Sequence, residues 1–503
     1  MPILAAIDVG SNAMRLAIAS VDAERHVTLL EVLREPVRLG QDVFTTGTIA
    51  EQTIETAIEA FLRFREAIDR HGARWTRAVA TSAVREALNQ ELFQDKIAQA
   101  SGINVEAIGA EEEARLIYSA VNGRVNLRNK LAVLVDIGGG STEITLASDE
   151  GILSTESYRM GAVRLLRTLG ENAQGEQHIH QLIQEYVDAT QRRIRRELGK
   201  QKIDLCIATG GSMESLGDLR REELGRDRDT VLPADDLKTL TKRLMSLSYE
   251  ERVRQLHLRP DRADVIVPAA LIIQKILQIA GVDEVTVPRV GLKDGLLADM
   301  VEELYGERKT TRRDQVVASA LQIGRKYQFD EPHALIVSKW AVQLFDRTRE
   351  LHHLGLEHRL LLEVAALVHD IGGFIGAADH HKHSQYLLLA TPIVGLTPDQ
   401  VAIVSNVARY HRKSLPKPQH DLYKALSSRD KVVVSKLAAI LRLADAMDNE
   451  HASKVSDFEI DYRKPRFTIK LYGEGDLLLE KWAMNKKAPM FEEVFSVRFA
   501  IAE

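Results

Sequence analysis

Residues 131–146, LAVLVDIGGGSTEITL, constrain this chain more than any other stretch. The run 131–135 is apolar and of strand length, though too short to be read by periodicity alone. Asp136 ends it, and Gly138, Gly139 and Gly140 are expected to reverse the backbone, because glycine takes positive φ without steric cost. Residues 142–146 then return as a second strand. A turn of this kind offers unobstructed backbone N–H groups to a phosphate, with Ser141 and Thr142 beside them. Asp136 and Glu143 flank the turn and suit a hard cation, Mg2+ or Mn2+, held against that phosphate. A plain β-hairpin would carry the same three glycines.

The pattern recurs. Residues 3–12, ILAAIDVGSN, again give an apolar strand, an aspartate (Asp8) and a turn, Gly10-Ser11-Asn12, before a returning strand at 14–19. A third turn, Thr209-Gly210-Gly211-Ser212, follows the apolar run in LCIATGGSMESL at 205–216. Two Asp-x-Gly hairpins a domain length apart describe two facing lobes, each offering a phosphate-gripping turn to one cleft. In this the chain resembles the actin, hexokinase and Hsp70 superfamily, whose α/β lobes are RNase H-like.

Further blocks narrow the resemblance. ATSAVREA at 80–87, GAEEEARL at 109–116, SYRMGAVR at 157–164 and GLKDG at 291–295 follow in order and spacing. Together they resemble the exopolyphosphatase/guanosine pentaphosphate phosphohydrolase (Ppx/GppA) family over about the first 300 residues. The resemblance implies hydrolysis of a terminal phosphoanhydride, with Glu113 as the catalytic glutamate and Arg85 on the phosphate. Arg159 and Arg164 are weaker candidates for more distal phosphates. It implies inorganic polyphosphate as substrate, with guanosine pentaphosphate as the alternative, and a homodimer. Glu111 and Glu112 adjoin Glu113 but point elsewhere on a helix. A solvated acidic helix start, favoured by the helix dipole, would explain Glu113 without chemistry. A sugar kinase of the same superfamily would need an acceptor pocket that nothing here marks. A non-catalytic nucleotide or phosphate sensor is the rival of a different class.

Composition sets limits. At 503 residues the chain should form three or four domains. The organisation expected is a first lobe at 1–123, a second at 124–305, a helical domain at 315–450 and a small α+β tail at 451–503. A charged boundary, GERKTTRRD at 306–314, precedes the helical part. The net charge of −5 does not favour non-specific nucleic-acid binding. No apolar run reaches membrane-span length, and no signal-like segment opens the chain. Cys206 is the only cysteine and sits in an apolar run, which fits a buried residue in a cytoplasmic protein.

Of the 16 histidines, 11 lie from His333 onward, in a region of helical periodicity. His333, His369-Asp370 and Asp445 stand in the order of the HD phosphohydrolase superfamily, which the region resembles. Imidazoles and carboxylates together suit a second divalent metal such as Mn, Fe, Co or Ni. His380, His381, His383 and His411 are available as additional ligands. An inherited scaffold without activity is the competing expectation.

Overall fold

The computed structural model of the chain describes residues 1–170, 175–199, 201–226, 230–305, 308–391 and 393–502, with the backbone alone at 308–312. Gly306 and Glu307 of the charged boundary therefore lie outside the described residues. The chain divides into two compact units, Met1–Lys309 and Thr310–Glu503.

The first unit contains two sheets built on one plan. The first sheet comprises β1 (Ile3–Val9), β2 (Met14–Val21), β3 (Val27–Glu35), β4 (Trp75–Ala80) and β5 (Val105–Ala107). The second comprises β6 (Ala132–Ile137), β7 (Thr142–Ser148), β8 (Gly151–Tyr158), β9 (Leu205–Thr209), β10 (Val231–Pro233) and β11 (Glu284–Thr286). Their orders are β3-β2-β1-β4-β5 and β8-β7-β6-β9-β11-β10. In each, an antiparallel three-strand meander is extended by parallel strands that arrive through helices, and in the second β10 is added at the edge antiparallel to β11. Parallel neighbours need such crossovers, so the helices cover the sheets and the central strands are buried. Every residue of β1 from Leu4 to Val9 is buried, and Ala132–Val135 of β6 likewise.

Local chemistry accounts for the elements that residue patterns do not reveal. Strands β3 and β8 are among them, because neither alternates apolar and polar residues regularly, although β3 carries Val27, Leu29, Leu30, Val32 and Leu33. Most of β3 faces solvent on one edge of its sheet, and β8 is rich in serine, threonine and glutamate. A short helix, Ser82–Glu86, precedes the helix Gln90–Ser101, the two separated where Ala87 is extended. A second break separates Pro260–Ala263 from Ile266–Ala280. Around that break, Asp261 pairs with Arg34 and Asp264 with Arg38, so ion pairs to the first half of the unit hold the broken geometry.

The second unit is mainly helical up to Ala446. It ends in a three-stranded sheet, β12 (Val455–Arg463), β13 (Arg466–Gly473) and β14 (Arg498–Ile501), with the helix Leu478–Phe495. Sheet and helices share one core. Trp340, Phe345, Leu362, Val404 and Leu437 from the helices join Phe458, Phe467 and Phe491 from the tail. Burying each such side chain contributes about 1.5–3 kcal/mol. Among the described residues no helix is long and apolar enough to cross a membrane.

Candidate active site

The two Asp-x-Gly hairpins are in the same register. Asp8 on β1 lies opposite Arg15 on β2, and Asp136 on β6 lies opposite Glu143 on β7. The two hairpins therefore differ in charge at one cross-strand position. In the first, Arg15 Nη1 sits 3.2 Å from Asp8 Oδ2 and compensates it. In the second, two carboxylates stand side by side. The first hairpin is internally neutralised; the second calls for a cation from elsewhere.

The turns meet. A Cβ added at Gly139 would lie 2.9 Å from Ser11 Cβ, and one at Gly140 would lie 2.3 Å from Ser82 Oγ. None of Gly10, Gly138, Gly139 and Gly140 has positive φ, so the conformational reason expected from sequence does not apply. Glycine is required at 139 and 140 because the turns and the Ser82 segment approach too closely for a side chain, whereas Gly10 and Gly138 meet a carbonyl of their own hairpin. Gly210 does take φ of 100° and packs on the Ile137 backbone. The second turn is anchored by residues 161–164. Ala162 and Val163 donate to the Gly138 and Gly139 carbonyls, and Arg164 Nε donates to the Gly140 carbonyl at 2.6 Å. Ser11 and Ser82 share a hydrogen bond of 3.0 Å beneath them.

Glu113 enters from the first turn of the helix Ala110–Asn122 and is buried. Its orientation follows from its neighbours. Glu112 is drawn away into a bidentate pair with Arg115, which also binds Asp299. Arg85 Nη1 lies 3.4 Å from Glu113 Oε2 and donates to the Ile108 carbonyl at 2.7 Å. Ligand oxygens of Glu113, Asp136 and Glu143 all lie within 4.8 Å of one another. Asp136 Oδ1 accepts from Thr209 Oγ1 at 2.5 Å, and Glu143 Oε1 accepts from Ser157 Oγ at 2.9 Å. Glu143 Oε2 is buried with no hydrogen-bond partner.

Three clustered acids hold their protons unusually tightly. Burial, then Glu143, push Glu113 well above the ordinary glutamate range, against the pull of Arg85. Burial raises Asp136 to about 6, and burial with Asp136 raises Glu143 to about 7. An all-oxygen set with one unpartnered carboxylate oxygen fits a hard divalent cation.

The hairpins, Glu113 and the third turn line one cavity of about 120 Å3. Asp8, Gly10, Ser11, Asn12, Glu113, Asp136, Gly138, Gly139, Ser141, Gly210, Gly211 and Ser212 all reach it. Other expected residues stand behind this lining. Gly140 is packed under Ser82, Thr142 bonds the Met160 carbonyl, Thr209 holds Asp136, and Arg164 holds the turn. Arg159 is an exposed side chain paired with Glu86 at 2.9 Å, and Glu86 also pairs with Arg164. Sequence reasoning missed Arg15, Ser82, Arg262 and Lys293, which also line the cavity. Lys293 was within reach, since it sits in the GLKDG block. Arg262 carries no motif; it is buried, donates to Ser212 Oγ at 2.7 Å, and is lowered by that burial to about 10.

In the second unit His333, His369 and Asp445 converge, with Asp370 beside His369. His381 and His383 are absent from the metal-competent groups among the described residues.

Comparison with known proteins accords with this geometry. A guanosine-5'-triphosphate,3'-diphosphate pyrophosphatase of Vibrio vulnificus is 26% identical over 88% of this chain and 87% of its own. Exopolyphosphatase 2 of Mycobacterium tuberculosis is 32% identical, over 58% of this chain and 97% of its own. The crystal structure of an exopolyphosphatase from Cytophaga hutchinsonii superposes with a TM-score of 0.57 at 25% identity, covering 60% of this chain and 98% of that one. The Aquifex aeolicus member of the Ppx/GppA family superposes at 0.52 with 26% identity, over 61% and 98%. The Ppx/GppA phosphatase family profile matches residues 17–304 and the profile for domain III of that family matches 316–483, so the chain belongs to the Ppx/GppA phosphatase family.

Proposed function

We propose that this chain hydrolyses the terminal phosphoanhydride of a linear phosphate chain by direct attack of water, releasing orthophosphate. The observation that carries the reading is the meeting of Glu113, Asp136 and Glu143, the first two of which line one small cavity with the two glycine turns. In-line displacement needs the phosphoryl group fixed, its charge met, and a water oriented behind it. The turns and the Ser11 and Ser212 hydroxyls fix the group, and Arg15 and Lys293 offer positive charge. Asp136 and Glu143 would hold Mg2+ or Mn2+, which supplies charge neutralisation on the phosphoryl oxygens when bound. Glu113 accepts a proton from the attacking water as the new O–P bond forms. The bridging P–O bond then breaks, and the leaving oxygen departs with the shortened chain. Arg85 opposes the rise that burial and Glu143 impose on Glu113 and orients it for this role.

The family resemblance puts inorganic polyphosphate first, and no residue of the sequence decides between it and guanosine pentaphosphate. The relatives that span most of this chain carry the guanosine name, whereas exopolyphosphatase 2 matches 58% of it, which favours guanosine pentaphosphate at least equally. Phosphate release from long-chain polyphosphate and from guanosine pentaphosphate, each with Mg2+, tests the proposal. Turnover on either, lowered by about 10²–10⁴ in Glu113→Gln, is expected. No release from either substrate by the wild type would defeat it and favour a sensor.

A further inference from the structure

The helix Ser82–Glu86 is only five residues long, yet it touches three parts of the cleft. Ser82 bonds Ser11 in the first turn and packs against Gly140 in the second. Arg85 lies on Glu113. Glu86 reaches the other way, to the second half of the unit, where Arg164 Nη2 donates to its Oε1 at 2.5 Å. Glu86 itself is not among the residues that line the cavity. Arg164 completes the hold on the second turn. Backbone N–H groups of residues 162–164 donate to the Gly138 and Gly139 carbonyls. The Gly140 carbonyl differs: its short bond, 2.6 Å, comes from the Arg164 side chain, and the Gly161 N–H is more distant at 3.3 Å.

A guanidinium is a rigid planar fork, so what one nitrogen binds sets where the others point. The Phe44 ring, 4.0 Å from the Arg164 guanidinium carbon, confines the fork to one plane, and Phe44 packs against the cores of both halves. Within that plane Glu86 fixes the rotation that presents Nε to Gly140. The Arg164 side chain is only 9% exposed, and apart from Glu86 it meets a neutral carbonyl and an aromatic face. Without the carboxylate, desolvation drives this charge toward water and takes the Nε donor with it. The Gly140 carbonyl and the Ser141 N–H belong to one planar trans peptide and point in opposite directions. Releasing the carbonyl therefore lets the Ser141 N–H swing, and Ser141 lines the cavity.

We propose that Glu86 is a positioning residue for the hydrolysis: acting through Arg164, it locks the second glycine turn to the short helix whose Arg85 orients Glu113. The inference rests on the phosphoanhydride reading above and adds to it the element that fixes the separation between phosphate cradle and base. In-line attack depends on that separation, since a misplacement of about 1 Å can cost 10²-fold in rate. Arg159 Nη2 also reaches Glu86, at 2.9 Å, but its side chain is 73% exposed, where such a pair contributes little. The working bond is the one to Arg164.

The test measures kcat and KM of the full chain with Mg2+ on long-chain polyphosphate and on guanosine pentaphosphate. Glu86→Ala should lower kcat about 10–100-fold while KM moves less than about threefold, because the turns, Arg15 and Lys293 still meet the phosphate. Glu86→Gln keeps an acceptor for Nη2 and should stay within about fivefold of the wild type, a neutral acceptor being the weaker one. Arg164→Lys should fall as far as Glu86→Ala, since one ammonium cannot reproduce the fork. Combining Glu86→Ala with Arg164→Lys should add no further loss. Circular dichroism checks the fold; should Glu86→Ala not fold, Arg164→Lys decides. Wild-type kcat in folded Glu86→Ala or in Arg164→Lys would overturn the inference, even with a lowered melting temperature. So would a Glu86→Gln as impaired as Glu86→Ala, or losses that multiply in the double variant. A wild type without turnover on either substrate defeats the proposed function and this inference with it, whereas an active wild type with those variant results defeats the inference alone.

Discussion

Replacing Glu143 by glutamine should make the metal-free protein more stable, and only at neutral to alkaline pH. Glu143 is buried, and burial together with Asp136 raises it from 4.5 to about 7. A carboxyl with a raised value binds its proton more tightly in the folded chain than in the unfolded one. Its favourable contribution is therefore complete below pH 4.5 and is lost as pH climbs through about 7. The rise corresponds to roughly 3 kcal/mol between the protonated and ionised forms. Glutamine keeps the acceptor for Ser157 Oγ and places an amide where Glu143 Oε2 now lacks a partner. It also removes the charge that helps to raise Glu113. In EDTA at pH 8 the variant should melt about 5 °C above the wild type, a figure scaled from ~3 kcal/mol in a unit of this size. At pH 5 the two should nearly coincide. Mg2+ should stabilise the wild type and leave the variant almost unchanged. Calorimetric melts from pH 5 to 8.5, with EDTA or Mg2+, measure both. A wild-type melting temperature flat across that range in EDTA, or a variant that tracks it, would refute the crowding of three buried acids.

Glu113→Gln should lower kcat by about 10²–10⁴ with little change in KM, read as phosphate release at saturating substrate. Gly139→Ala should cost about 1–3 kcal/mol and reduce kcat/KM, because its methyl would press on Ser11 across the meeting turns; urea melts and kinetics report the two effects. Asp299→Asn should destabilise the first unit by about 3–5 kcal/mol in urea melts, since it leaves the buried Arg115 guanidinium with only Glu112 as an ionised partner on its own helix. Cys206 should resist iodoacetamide at pH 8 in the folded protein and react in urea, because burial holds its thiol at about 12.

Much of the site was legible in order along the chain. Asp8, Asp136, Glu143 and Glu113 sit in local motifs whose turn and strand chemistry is short-range, and the structure draws them together. Arg262 was not legible, because its place depends on a helix broken between Ala263 and Ile266 and on ion pairs to Arg34 and Arg38, more than two hundred residues away. The same holds for Arg164. Its sequence suggested a phosphate contact, but its guanidinium is taken up by the Gly140 carbonyl and Glu86.

By itself the sequence determined the two hairpins, their shared spacing from aspartate to cross-strand partner, and the order of histidines in the second unit. Those features rest on contacts between near neighbours, which residue type and spacing control directly. Tertiary structure alone decided that the glycines serve close approach, and that Arg15 neutralises one hairpin while Glu143 leaves the other acidic. Each of these depends on which distant backbone carbonyl, side chain or turn occupies the neighbouring space, and that is set by packing between elements far apart in the chain.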